Sequence, residues 1–193
     1  MTSEAKLSSM EAATAFAYSA YINTTVFDMP NFGWGGNTIL LLEYMTGKTN
    51  SENSQSFIKD YLDLTINSGS AYLEAWYQNC YSGIAQCNLA LTKLPEFTNL
   101  DEMVISKYIA EVKFMRALYY FYLVRIYGDV PKIMGEQSEI LELQIERSPV
   151  KEIYDEIIIP DLLAAEESNL PNSDQTGRIS MSAVKELLAD VYP

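Results

Sequence analysis

The chain has 193 residues, 48% of them hydrophobic and 20% charged, which suits one globular domain of moderate size and excludes a disordered chain. A formal net charge of −13 repels phosphate backbones and anionic lipid, so nucleic acid and anionic headgroups are poor partners, while neutral and cationic ligands remain open. The absence of histidine removes Ser-His-Asp, Cys-His and histidine–metal sites, and no apolar run reaches the roughly 18 residues that a membrane-spanning helix needs.

The opening MTSEAKLSSMEAA has neither the cationic start nor the apolar stretch of a signal peptide. Residues 4–24 then place Leu7, Met10, Ala13 or Thr14, Ala17 and Tyr21 at helical spacing. Residues 28–37, DMPNFGWGGN, are turn chemistry, and their glycines cannot bury Phe32 and Trp34 locally. An apolar piece, TILLLEYM, and a polar loop, TGKTNSENSQS, follow. Residues 28–69 are therefore expected as an irregular, loop-rich insertion within a single helical domain spanning 1–193.

A helix is predicted from about Ser70 to Leu94, ended by Pro95. Tyr72, Trp76, Ile84 and Leu91 define its expected inner face, with Tyr77 and Tyr81 beside it. Cys80 and Cys87 on this helix would lie ~10 Å apart at ~1.5 Å rise per residue, beyond disulfide reach, and are expected as buried thiols.

The next helix is predicted over 101–127, with Asp101 as N-cap and Gly128 in a left-handed C-terminal cap. Its second half is apolar on nearly every side: Phe114, Met115, Leu118, Tyr119, Phe121, Tyr122, Val124 and Ile126. Such a helix needs cover on more than one side. Glu111 and Arg116 are expected as partners within that packing rather than as an acid–base pair. After the Tyr-Gly-Asp-Val-Pro turn and an acidic segment, Ser148 as N-cap and Pro149 at the first helical position start another helix. Its face is Val150, Ile153, Ile157, Leu162 and Ala165, and Pro160 is expected to kink or split it. A last helix starts near Ser180 and is expected to run on through Tyr192.

The chain repeats itself. Val112, Lys113, Ala117 and Tyr120 recur as Val184, Lys185, Ala189 and Tyr192, and the helices before them end in Leu-Pro at 94–95 and 170–171. Two helix–turn–helix units that share a small residue point to an all-α fold of tetratricopeptide-like antiparallel helical hairpins.

Four stretches carry a family resemblance, in the family's order. AEVKFMRALYYFYLVRIYGDVPKIM, residues 110–134, resembles the signature helix and turn of the SusD/RagB family of outer-membrane glycan-binding lipoproteins. The helix with Trp76, Tyr77, Tyr81, Ile84 and Asn88 is similar to the family's preceding one. Arg147, Glu152, Ile153 and Tyr154 match a third motif, and Gly177 with Arg178 a fourth. Residues 1–69 fit only loosely. The resemblance implies the N-terminal, tetratricopeptide-bearing portion of a lipid-anchored cell-surface protein. Such a protein would capture oligosaccharide, or sometimes peptide, and pass it to a TonB-dependent outer-membrane transporter. It implies neither catalysis nor a cofactor.

The family's sugar contacts share no motif, so a binding face has to come from chemistry. Phe32 and Trp34 can stack on an apolar sugar face while Asp28 and Asn31 bond its hydroxyls, and a neutral ligand is indifferent to the charge of −13. The rival expectation is a helical-repeat adaptor that binds proteins and has no glycan ligand.

Overall fold

The computed structural model describes residues 3–22, 43–48, 56–135 and 145–192. Its helices are α1 (Ser3–Ser19), α2 (Ser56–Leu62), α3 (Ala71–Lys93), α4 (Glu102–Tyr127), α5 (Val150–Ile153), α6 (Ile159–Glu166) and α7 (Met181–Val191). One antiparallel pair, β1 (Val130–Pro131) with β2 (Arg147–Ser148), is the only sheet among the described residues, so the expected all-α class holds. The chain divides into two units, Met1–Ile22 with Tyr81–Pro193 and Asn23–Cys80, and the boundary falls inside α3.

In the larger unit α4 is the axis, and residue pairs along it give the direction of each neighbour. Tyr81 meets Tyr120 edge-on with ring centroids 6.5 Å apart, while Asn88 bonds Arg116, so α3 runs antiparallel to α4. Asp129 bonds Val150, Arg116 bonds Asp161 and Asn169 bonds Met103, so α5 and α6 are antiparallel to it as well. Thr14 pairs with Tyr108 and Ala20 with Tyr119, so α1 lies parallel. Cover on three sides is what the apolar half of α4 demanded. Phe114, Met115, Tyr119, Phe121 and Val124 are buried; Leu118, Tyr122 and Ile126 are half-buried. Each buried ring removes roughly 150–250 Å² from water, which makes α4 the main source of apolar burial.

Local chemistry sets the ends of these helices. Asp101 caps α4 by accepting a hydrogen bond from the Met103 amide at 2.8 Å. Gly128 ends α4 with φ +70° and ψ −127°, outside the left-handed cap region expected for it. This is the mirror of extended backbone, a conformation that glycine alone adopts without strain, and it turns the chain sharply into β1. The start of α5 also differs from expectation. Ser148 pairs in β2, Pro149 is the N-cap residue, and the Asp129 carboxylate accepts from the Val150 amide at 3.0 Å. The acid of the Gly-Asp-Val-Pro turn thus does the capping that Ser148 was expected to do.

Pro160 acts as anticipated, in a specific way. A π turn at Tyr154–Ile158 separates α5 from α6, with Pro160 in the first turn of α6. Pro160 has no amide proton for the helical ladder, and the wide turn inserts one extra residue there. The apolar positions record the insertion. Ile153, Ile157, Leu162 and Ala165 are all fully buried, although 157 to 162 is a five-residue step.

Ser180 caps α7 by accepting from the Ala183 amide, but the helix ends at Val191. Tyr192, the last described residue, is extended rather than helical. The internal repeat is therefore uneven. Val112 and Val184 are both fully buried, and so are Ala117 and Tyr120, whereas Ala189 and Tyr192 are exposed.

In the smaller unit, α2 forms within the stretch expected to be irregular. Ile58 and Tyr61, three residues apart, both bury on one helical face. The Tyr61 hydroxyl lies 2.8 Å from that of Ser70, and its ring meets Tyr72 edge-on at 6.3 Å. The buried line of α3 is Trp76, Cys80, Ile84, Cys87 and Leu94, whereas Tyr72, Tyr77, Tyr81 and Leu91 are half-buried.

The two thiols are free and buried, as their spacing required. Burial pushes the Cys80 thiol up to about 12, and Cys87 is also raised, chiefly by burial. A thiol reagent at pH 8 is expected to leave both unmodified in the folded chain and to modify both in denaturant. Because folding raises these values, the thiols' share of stability is complete below the ordinary thiol range and lost as pH rises above it. The slope approaches about 1.4 kcal/mol per pH unit for each thiol. A urea-denaturation series from pH 8 to about 9.5, below the range in which tyrosines ionise, measures its onset.

Candidate functional site

Asp28, Asn31, Phe32 and Trp34, the residues expected to meet a ligand, lie outside the described residues. Among the described residues, the polar chemistry gathers in two interior networks of the larger unit.

The first centres on Arg116. Its Nε and Nη2 donate to Asp161 Oδ2 and Oδ1 at 2.7 and 2.9 Å, a bidentate pair, and Nη1 donates to Asn88 Oδ1 at 2.9 Å. Asn88 Nδ2 in turn donates to the carbonyls of Ile133 and Gly135 at 3.0 and 3.1 Å. The Tyr120 hydroxyl lies 3.0 Å from the Ile133 carbonyl and accepts from the Ile133 amide at 2.8 Å. The Tyr81 hydroxyl donates to the Pro131 carbonyl at 2.8 Å. The network therefore ties α3, α4 and α6 to the segment 131–135 at the end of the Gly-Asp-Val-Pro turn. Burial raises the pKa of Tyr120, and the amide bond from Ile133 only partly offsets that.

The second network centres on Glu111, whose side chain is fully buried. Arg178 Nη2 donates to Glu111 Oε2 at 2.7 Å, and Nε lies 3.1–3.2 Å from both carboxylate oxygens. The Tyr21 hydroxyl donates to Oε2 at 2.8 Å and accepts from the Ile179 amide at 3.2 Å. Burial raises the pKa of Tyr21, and the Glu111 charge raises it further. For Arg178, burial presses toward neutrality, but the hydrogen bonds and charge of Glu111 outweigh it and hold the guanidinium charged.

Glu111 and Arg116 both lie in the packing of α4, as expected, but each has its own partner on another element. Asn88 and Arg178 stood in the sequence motifs without an assigned role. Asp161 was not singled out; its signal was a lone carboxylate inside the apolar run IIIPDLLAA. Both carboxylates are held by guanidinium groups inside the protein, so they lock helices together and offer no accessible proton acceptor. No group of three or more His, Cys, Asp or Glu among the described residues is arranged to hold a metal ion. No helix among them is long and apolar enough to cross a membrane.

Comparison with known proteins agrees with this architecture. A SusD-like family profile, described as "Starch-binding associating with outer membrane", matches residues 8–192. SusD-like protein P2 of Formosa agariphila is 31% identical over 136 residues, 69% of this chain and 26% of the relative. A SusD superfamily protein of Parabacteroides distasonis, known from a crystal structure, is 65% identical, with a TM-score of 0.88 over 95% of this chain and 39% of that one. A laminarin-binding SusD-like protein of known structure is 30% identical, with a TM-score of 0.76 over 94% of this chain and 39% of that one. The chain thus spans about a quarter to two fifths of the length of these proteins.

Proposed function

Because the chain belongs to the SusD-like family of starch-binding proteins that associate with the outer membrane, we propose that it forms the helical part of a cell-surface glycan-binding protein. In this reading the whole protein is lipid-anchored on the outer face. It captures a neutral oligosaccharide and passes it to a TonB-dependent transporter. The observation that carries the reading is the family match along residues 8–192, supported by structural likeness to a laminarin-binding protein. The two interior networks fit a scaffold role, since their charges are spent on holding helices together. The net charge of −13 favours neutral glycans over acidic ones.

The proposed ligand face is the aromatic turn of Asp28, Asn31, Phe32 and Trp34. An indole ring stacked on a sugar buries enough apolar surface that Trp34→Ala is expected to weaken oligosaccharide binding by about tenfold or more, or about 1.4 kcal/mol. Calorimetry on the full-length protein with a panel of neutral oligosaccharides reads this directly. Binding by the parent that survives Trp34→Ala unchanged would remove the turn from the site. Failure of every glycan to bind, together with capture of peptide by the same protein, would favour the adaptor instead. Co-purification with a large outer-membrane barrel tests the transporter.

A further inference from the structure

Between Ser8 and Ala20, the docking of α1 fully buries only small apolar side chains. Of its side chains from Ser8 to Ser19, only Ala13 and Ala17 are fully buried, and Ala20 follows them. Phe16 meets Phe97 at 6.1 Å between ring centroids, but Tyr18 is 48% exposed. Polar contacts supplement the apolar ones: Asn99 donates to the Ser9 hydroxyl at 2.9 Å near the N-terminal end, and the others lie toward the C-terminal end. Thr14 and Tyr108 share a hydroxyl bond at 3.0 Å, and Tyr119 donates to the Ala20 carbonyl at 2.9 Å. Tyr21 bridges Glu111 of α4 and the Ile179 amide, residues that lie 90 and 158 positions away.

Arg178 stands at the middle of this junction. Besides gripping Glu111, its guanidinium carbon lies 4.7 Å from the Tyr18 ring centroid on α1 and 5.0 Å from that of Tyr108 on α4. The loop before α7 is shaped to present it: Asp174 accepts from the Thr176 and Arg178 amides at 2.6 and 3.3 Å, and Gly177 has φ +82°. Glu111 is wholly buried, so without Arg178 its charge would have no counter-ion in the interior. Tyr21 at the end of α1 is the other side chain bonded to that carboxylate, so displacing this end would uncover it. Three fully buried alanines with the half-buried Met10 and Phe16 are a modest apolar surface to resist such a movement.

We propose that α1 is a latched helix. Arg178, carried by the loop before α7, decides whether residues 8–22 stay docked on α4, and they can undock as a unit while α4–α7 remain folded. The helix is then a conformational element under the control of a loop more than 150 residues away, rather than an integral part of the core.

Hydrogen exchange measured by mass spectrometry on the chain tests this with two variants. Arg178→Met removes the charge and keeps the bulk. Tyr21→Phe keeps the ring and removes only the hydroxyl. The expected result is at least tenfold faster exchange of amides 8–22 in Arg178→Met, a smaller rise there in Tyr21→Phe, and unchanged protection of the amides of α4 and α6. Parallel loss of protection in α1, α4 and α6 would overturn the latch, because the junction would then belong to the global core. Full retention of protection in α1 in both variants would overturn it equally. If Arg178→Met does not fold, Tyr21→Phe is read by the same rule. Glycan binding plays no part in the readout, so the outcome is independent of the proposed function.

Discussion

Arg116→Met is expected to lower the stability of the chain by about 3–5 kcal/mol, the usual consequence of removing one partner from a buried ion pair. For a chain of this size that corresponds to a fall of roughly 10 °C or more in the thermal midpoint. The reason lies in what remains. Asp161 is 4% exposed and would be left without its guanidinium partner, while Asn88, 1% exposed, would lose the donor to its side-chain oxygen. Asn88 also holds the Ile133 and Gly135 carbonyls, so the segment after the Gly-Asp-Val-Pro turn should loosen as well. The informative control is Arg116→Met combined with Asp161→Leu. If an unpaired charge causes the loss, removing both charges should recover most of it, because an apolar pair has no desolvation penalty. Urea denaturation of the parent, the two single variants and the double variant measures the coupling. A loss below 1 kcal/mol in Arg116→Met would show that this network does not hold the hairpins together.

The second large effect is expected at Gly83, where α3 crosses α4. A Cβ built there would lie 2.5 Å from two carbons of the Tyr119 ring, far inside contact distance. The ring has nowhere to go: Tyr119 is fully buried and its hydroxyl is bonded to the Ala20 carbonyl at 2.9 Å. In an open helix, Gly→Ala stabilises by up to about 1 kcal/mol through helix propensity. Here the sign should reverse, because overpacking by a methyl group in a filled interior typically costs about 1–3 kcal/mol. Gly83→Ala is therefore expected to destabilise, and Gly83→Val to destabilise more. Combining Gly83→Ala with Tyr119→Leu should relieve part of the loss, since the clash is with the ring. Thermal unfolding followed by circular dichroism decides the sign, and a stabilised Gly83→Ala would mean that the helices separate easily.

Both variants probe contacts that the sequence announced only in part. The aromatic run of α4 was legible because a helix apolar on every side has to be surrounded. Asp101 as a cap, the disruption at Pro160 and the burial of Cys80 and Cys87 were legible for the same kind of reason, since each depends on residues within a turn or two of one another. The inner face of α3 was read less well. Large aromatics draw attention in a sequence, yet Cys80 and Cys87 are fully buried and Gly83 lies directly against the Tyr119 ring. The start of α5 was misread because its cap comes from Asp129, 21 positions earlier and across the β pair. The aromatic turn at 28–34 remains a proposal from ring chemistry.

Helical periodicity, capping and proline effects act over a few residues, so the all-α class, the family and the position of most helices are legible from residue order alone. Only the tertiary structure decided which charges meet: Glu111 with Arg178, 67 positions on, and Arg116 with Asp161, 45 positions on. Those pairings depend on how whole helices are rotated and offset against one another, including the extra residue of the π turn just before Pro160. No local pattern records that rotation, since it emerges when apolar faces are buried together and the charges among them must find partners.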